Sequence, residues 1–314
     1  MDDGNGAEKL PALRKSHALA DFGLLPLPMS RPHRACSPLV TAMSTLLLAA
    51  ACSHRATDRV QGAVPLPEGV ERLRIELENG TLDVATIEEG ADPRVLTFAG
   101  GVRMDAADDG QLQQLVSMDH HLVGALDPED PAVFVLRGPS LPAGLQGMIA
   151  YEGHVRVPAS MPVQIDVANN GHVTLVGRRA ATEVHTGRGD LRFEQCVGAV
   201  KATTGQGNVI AYEHRGDLDV RSQGGDMQAF VSEPGEKLTL STGKGTVQCH
   251  VPPDLEFHVD ARAVIGRIGS DFDFEVVKPT AYSSEMVGSR GGAKTRVLLR
   301  TASGHIAVRK LEAR

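Results

Sequence analysis

The chain has 314 residues, of which 41% are hydrophobic and 23% charged, an ordinary globular balance that excludes disorder throughout. Lys and Arg total 32 against 39 Asp and Glu, a formal charge of -7, so there is no basic excess from which to build a phosphate-binding face and nucleic acid is not an expected partner. Trp is absent, Tyr and Phe number only 3 and 8, and Gly reaches 34; sugar-stacking platforms are scarce and tight turns plentiful, which favours a repetitive β architecture.

The long apolar stretch runs from Leu39 to Ala51 and is too short to span a bilayer, which needs about 20 residues. Arg31 and Arg34 precede it and Ala49-Ala50-Ala51 lead into Cys52, the layout of an export signal with a charged start, an apolar middle and small residues at the cleavage site. With Cys directly after the alanines, the segment resembles the lipobox of bacterial lipoproteins, although Ala49 replaces the commoner Leu. The resemblance implies that Cys52 is acylated, becomes the mature N-terminus and holds the protein at a membrane. Asp2, Asp3, Glu8 and Asp21 make an acidic leader that does not suit an export signal, so Met29 is the expected start. The expected organisation is an upstream, non-native extension over 1–28, a lipoprotein-type signal over 29–51, a polar tether over 52–70 beginning Ser53-His54-Arg55, and one domain over 71–314. Beyond Cys52 there remain 27 basic and 35 acidic residues, a mildly acidic mature charge of -8.

In the domain, Arg72–Glu78 and Thr81–Ile87 alternate around Asn79-Gly80, which predicts a hairpin. Asp109–Met118 reads as a short helix or a loop. Pro128, Pro131, Pro139 and Pro142 mark an irregular excursion, and strands are expected over Ala132–Leu136 and Met148–Val157 before Pro158 and Pro162 bracket the entry to a repeat.

Glycines at 171, 189, 198, 207, 216 and 225 fall on a grid of nine, with Ala180 at the missing point; the grid slips where Pro234 and Gly235 insert extra residues and resumes at Gly245. The second and fourth positions after each mark are apolar or small, as in Val173 and Leu175, Leu191 and Phe193, or Val209 and Ala211, whereas the residue between is usually polar. That is half-buried strand alternation. Turn chemistry recurs every second unit, at Thr186-Gly187-Arg188-Gly189-Asp190, Thr204-Gly205-Gln206-Gly207-Asn208 and Thr242-Gly243-Lys244-Gly245-Thr246, so the true period is eighteen, with two strands per coil. The fold class predicted is an all-β, parallel β-solenoid with an irregular N-terminal part. Coils stacked ~4.8 Å apart would put Val173, Leu191, Val209, Met227 and Val247 inside one sheet, and Val184, Ala202, Val220 and Leu240 inside the other. The outward column Glu183, Lys201, Asp219 alternates in sign, and Arg296–Arg300 with Gly304–Val308 is expected to close the stack. Cys196 and Cys249 lie almost three coils, ~14 Å, apart. A disulfide needs Cα atoms within ~7 Å, so both should be free, with Cys249 facing inward.

The Thr-Gly-x-Gly-Asp-hydrophobic unit, the preceding Val155-Arg156-Val157-Pro158 and the final Thr301-Ala302-Ser303-Gly304-His305-Ile306 resemble the bacterial putative-adhesin family of domains of unknown function, over about Leu73 to Val308. The resemblance implies a β-solenoid of the cell envelope and supplies no catalytic residues.

Motifs that tempt a chemical reading mostly coincide with turns. Arg188-Gly189-Asp190 spells an integrin-binding tripeptide, but other coils replace it by Gln206-Gly207-Asn208 and Lys244-Gly245-Thr246. Gly243-Lys244-Gly245-Thr246 lacks the spacing of a phosphate loop. Asp119-His120-His121 has no spaced ligand set beside it and reads as a solvated loop rather than a metal site. Asp190, Asp217 and Asp226 invite calcium, yet the second acidic position of the nonapeptide rolls is missing. No cofactor or metal is expected.

The reading is a non-catalytic, lipid-anchored envelope protein whose β-solenoid surface binds an unidentified envelope protein or polymer. The alternative is a polysaccharide-active β-helix enzyme. Against it, the outward column holding Glu194 has no second carboxylate to complete the acid pair of glycoside hydrolysis. The candidate binding patch is Ile210, Tyr212 and Phe230, set in the outward column Val176, Glu194, Tyr212, Phe230, His250 beside Arg192 and Gln228; exposed contiguous apolar residues often mark contact sites. The competing expectation is that the Pro128–Pro142 excursion folds over and buries this patch.

Overall fold

The computed structural model describes residues 54–87, 90, 92–277 and 280–312. Of the two units into which the chain divides, 1–50 lies wholly outside the described residues, as does Cys52. The expectations for the upstream extension, the export signal and the acylated Cys52 therefore fall outside them.

The N-terminal part contains β1 (His54–Pro65), β2 (Arg72–Thr86), β3 (Val95–Ala106), α1 (Asp109–Val116), β4 (Val123–Leu126), β5 (Val133–Arg137) and β6 (Gly147–Val157). The regular coils follow as β7 (Val163–Val176), β8 (Thr182–Arg188), β9 (Leu191–Glu194), β10 (Val200–Gln206), β11 (Val209–Gly224), β12 (Met227–Lys244) and β13 (Val247–Val251). The C-terminal part comprises β14 (Phe257–Ile265), β15 (Ile268–Ser270), β16 (Val276–Val277), β17 (Ser284–Arg290), β18 (Thr295–Ser303) and β19 (Ile306–Lys310).

The coils stack in parallel in the register of the repeat, eighteen residues apart as far as Met227 and Val220 and twenty apart where Pro234 and Gly235 lengthen the coil. In the first sheet Val173 lies beside Leu191, Leu191 beside Val209, Val209 beside Met227 and Met227 beside Val247. In the second, Val184, Ala202, Val220 and Leu240 form the corresponding ladder. All nine side chains are buried, so alternate residues of each strand supply one continuous apolar core. Cys196 and Cys249 are free and buried.

The corners explain the Thr-Gly-x-Gly-Asp unit. Gly207 has φ +149, and a Cβ there would come 2.0 Å from the carbonyl oxygen of Gly189 one coil away; only glycine permits both the conformation and the approach. Beneath the corner, the buried Thr204 hydroxyl donates to the Gly189 carbonyl at 3.2 Å, and Thr242 repeats this with Gly225 at 3.1 Å. Outside it, the Asp190 carboxylate accepts the Asn208 N–H at 2.7 Å, the Asn208 side-chain oxygen accepts the Asp226 N–H at 2.9 Å, and the Asp226 carboxylate accepts the Thr246 N–H at 2.7 Å. These acidic and amide groups form a ladder that satisfies corner amides.

Three expectations are corrected. Asn79-Gly80 does not close a hairpin: β2 runs through it as one strand and pairs in parallel with β7 on both sides of the bend. A positive φ of 151 at Gly80 serves a coil corner as readily as a hairpin turn. Most of the expected tether is structured, because His54–Pro65 is β1 and pairs antiparallel with β3 along all its length. The C-terminal strands do not close the stack. Instead β18 lies between β12 and β14, and β19 between β13 and β15.

The same interleaving occurs at the other end, where β2 is flanked by β5 and β6 on one edge and by β7 on the other. The first and last coils are thus each hydrogen-bonded on both edges. Antiparallel strands finish the stack: β3 on β6 and β4 on β5 at one end, and β17 on β14 at the other. Such caps blunt parallel edges that would otherwise template further pairing. Phe257, Phe272 and Phe274 fill the C-terminal end of the core, with Phe272 and Phe274 edge-on to Phe257 at 5.2 and 5.5 Å between ring centres.

To pass from β6 to β7 the chain must cross over β2, and a buried guanidinium fastens that crossing. Arg178 donates to the carbonyls of Val157 at 3.4 Å, Pro158 at 2.8 Å and Met161. Its own carbonyl accepts the Val197 N–H, beside the buried Cys196 thiol; one coil further, the Cys196 carbonyl accepts the Arg215 N–H beside the fully buried His214.

Candidate functional site

Ile210, Tyr212 and Phe230 lie together on the outer face of the first sheet, and the structure extends the group into a stack. The Tyr212 and Phe230 rings are 5.1 Å apart and nearly parallel, and Phe230 and His250 are 4.3 Å apart. In-register parallel strands force this geometry, because identical outward positions on successive coils come to the strand spacing. The Arg192 guanidinium covers the far side of the Tyr212 ring at 5.2 Å and pairs with Glu194. Beyond His250 the next strand places Arg309, which is held by Asp271 at 2.6 Å.

The column therefore reads Glu194, Tyr212, Phe230, His250, Arg309, with cations at both ends of a ring stack. Ring faces are turned to one another, so ring edges and the Tyr212 hydroxyl face outward. The neighbouring column starts at Arg192 and continues through the uncharged Ile210, Gln228 and Gln248, where the Gln228 amide donates to the Gln248 side-chain oxygen at 3.3 Å. His250 is held below the usual histidine range by burial, reinforced by the Arg309 charge, and its Nε2 has no partner among the described residues. Tyr212, Phe230 and His250 are half-buried.

The Pro128–Pro142 excursion does not lie over this strip. It contributes β5, which pairs with the first half of β2 at the N-terminal end of the second sheet, and Asp127 and Asp130 anchor it there through Arg74 and Arg72. Among the described elements, β11, β12 and β13 pack mainly against other strands.

The outer face of the second sheet has the opposite character. Lys201 pairs with Glu183 at 2.5 Å and Lys237 with Asp219 at 2.6 Å, the sign alternation expected of this column, while Asp260 takes Arg300 at 2.6 Å. Glu183, Asp219 and Asp260 are held below the ordinary carboxylate range, Glu183 mainly by its hydrogen bond to Lys201 and the two aspartates by cationic neighbours that outweigh their burial. One carboxylate goes the other way: burial raises Asp166, which lies beside Glu76 and His185 in a groove of about 590 Å³. The sequence could place these three in one column but could not show the burial.

His120 is a buried structural residue, joining the Leu115 carbonyl at 2.8 Å and Asp58 at 3.2 Å, and so ties α1 to β1. His121 pairs with its neighbour Asp119 at 2.8 Å. Among the described residues no group of three or more His, Cys, Asp or Glu could hold a metal ion, and no helix is long and apolar enough to cross a membrane. Asp190 and Asp226, which invited integrin or calcium readings, are engaged in the corner ladder.

Residues 63–309 match the family described as Toastrack DUF4097, and the chain belongs to that family. Among solved structures it is similar to a putative cell adhesion protein from Clostridium sporogenes, at 12% identity and a TM-score of 0.36, covering 81% of this chain and 100% of that one. It is also similar to a putative adhesin from Bacteroides fragilis, at 10% identity and a TM-score of 0.37, covering 80% and 97%. No curated protein matches.

Proposed function

We propose that this protein is an exported, lipid-anchored envelope protein that acts by binding rather than catalysis, with the outer face of its first sheet as the contact surface for a protein or polymer. The observation that carries the reading is the contrast between the two faces. One is knitted by ion pairs between neighbouring coils, whereas the other presents Ile210, the Tyr212–Phe230–His250 stack and the Gln228–Gln248 pair as an uncharged strip. Aromatic and amide groups around a desolvated centre, with Arg and Glu at the margin, are the composition of protein contact surfaces. Because the ring faces are stacked on one another, the strip suits a flat partner lying across the ring edges better than a sugar stacking on a single ring.

Crosslinking in intact cells followed by recovery of the protein tests this. The Tyr212→Ser, Phe230→Ser double variant should lose its crosslinked partner while staying folded; undiminished recovery would count against the strip. The anchor is tested separately, since Cys52→Ala should abolish incorporation of labelled palmitate and membrane retention.

The enzymatic alternative acquires a specific location in the Asp166 groove, because a carboxyl group raised by burial beside a second carboxylate is how general acids are made. It predicts release of sugar from envelope or plant polysaccharide that Asp166→Asn abolishes. The binding reading predicts no such release from either form.

A further inference from the structure

The order of residues along the ring column has a symmetry that points to a specific partner. Two strand-to-strand steps lead from Glu194 to Phe230, and two from Phe230 to Arg309, with Tyr212 and His250 at the intermediate strands. At ~4.8 Å per strand Glu194, paired with Arg192, and Arg309, paired with Asp271, are equidistant from the central ring, each by ~10 Å. A two-fold axis lying in the face and running along the Phe230 strand direction reverses the stacking order and leaves positions along the strand unchanged. It therefore lays this column on its own copy, with Glu194 opposite Arg309, Tyr212 opposite His250 and Phe230 opposite Phe230.

We propose that the contact surface on the first sheet pairs with a second copy of this chain, face to face and with the two stacks antiparallel. This rests on the reading of that face as a binding surface and names its partner. Each element of the column finds a chemical complement in the reversed copy. The Arg192–Glu194 pair meets the Arg309–Asp271 pair twice, so that Glu194 gains a second guanidinium, the Tyr212 ring edge meets the imidazole ring edge, and the Phe230 edges meet across the axis. In the neighbouring column Arg192 comes opposite Ala307, Ile210 opposite Gln248 and Gln228 opposite Gln228, so no residue directly faces a like charge in either column. Isologous pairing of this kind closes at two copies and leaves the ion-paired second sheet outward. The opposite arrangement, with the stacks parallel, would set Glu194 near Glu194 and Arg309 near Arg309 and is disfavoured by like-charge opposition.

Sedimentation equilibrium on the whole protein over a wide concentration range tests the pairing, with charge reversals that the geometry makes diagnostic. The unaltered chain should reach a dimer. Glu194→Arg and Arg309→Glu, each alone, should weaken self-association by at least about tenfold, because each opposes like charges twice across the axis. Mixing the two variants should restore dimers, since each mixed pair then contains Arg against Glu at one end and Glu against Arg at the other. A chain that stays monomeric throughout, reversals without effect, or a mixture that fails to recover would each overturn the proposal. Melting temperatures of the single variants check that loss of pairing is not loss of fold. A monomer whose Tyr212 and Phe230 are still needed to crosslink another envelope component would refute the self-pairing while leaving the binding face in place.

Discussion

The guanidinium of Arg178 donates to the Pro158 carbonyl at 2.8 Å across the crossing that carries the chain from one side of β2 to the other. Arg178 is fully buried, has no carboxylate partner among the described residues, and burial lowers its pKa to about 10, still high enough to keep it charged at neutral pH. Its three carbonyl acceptors would be orphaned by truncation. Arg178→Ala should therefore destabilise the protein by about 3 to 5 kcal/mol in urea unfolding. Arg178→Lys should recover only part, since an ammonium cannot reproduce the planar fork.

His214 makes the fold acid-sensitive. It is fully buried, its Nε2 donates to the Asp217 carbonyl at 3.0 Å, and its Nδ1 has no hydrogen-bond partner among the described residues. Burial holds its pKa below the ordinary value of 6.5. Below about pH 6.5 the unfolded chain binds a proton that the folded chain refuses, so stability is full above that pH and falls as pH drops toward the folded pKa, by up to about 1.4 kcal/mol per pH unit. The half-buried His250 is lowered by burial and acts in the same direction. Urea midpoints between pH 7.5 and 5 should fall for the native chain and less steeply for His214→Gln. The lowered carboxylates Asp219 and Asp260 contribute their losses only in the more acid range, below their unfolded values.

How much of this could be read from the sequence depends on how local each feature is. The ladders through Val173 and Val184 were legible because neighbours on successive coils sit eighteen residues apart, or twenty after the Pro234-Gly235 insertion, so spatial register is written as sequence period. The Tyr212–Phe230 stack followed from the same arithmetic. The bend at Asn79-Gly80 was misread because positive φ serves a hairpin and a corner alike, and the choice is made by β7, ninety residues on. Likewise β1 looked like a tether because its partner β3 lies outside the repeat, and the interleaving of β2, β18 and β19 is an order of stacking that no local pattern records. Burial of Arg178 was invisible for a related reason: its carbonyl partners belong to the crossing and not to the next coil.

The corner acids should be indifferent to calcium. The Asp190 and Asp226 carboxylates each accept a backbone N–H from the following coil, which fixes them along the corner instead of converging them on one point. Melting temperature should be unchanged by millimolar calcium or by a chelator. Asp226→Ala should cost about 1 kcal/mol by leaving the Thr246 amide without its acceptor.

Gly207→Ala probes the corner itself. Its methyl group would have to fit where the Gly189 carbonyl oxygen stands 2.0 Å away, in a backbone conformation that L side chains rarely adopt. The expected cost is about 2 to 4 kcal/mol, read as a shift in urea midpoint, against less than about 0.5 kcal/mol for an exposed substitution such as Lys201→Gln.

The claim that the outer face of the first sheet is the contact surface is tested most directly by site-specific photocrosslinking in intact cells. A photoreactive residue at Gln228 stands within the uncharged strip, and one at Lys201 stands on the ion-paired face of the second sheet. Adducts to a second copy or to another envelope component are expected from position 228 and none from position 201. Adducts from 201 with none from 228 would contradict that claim.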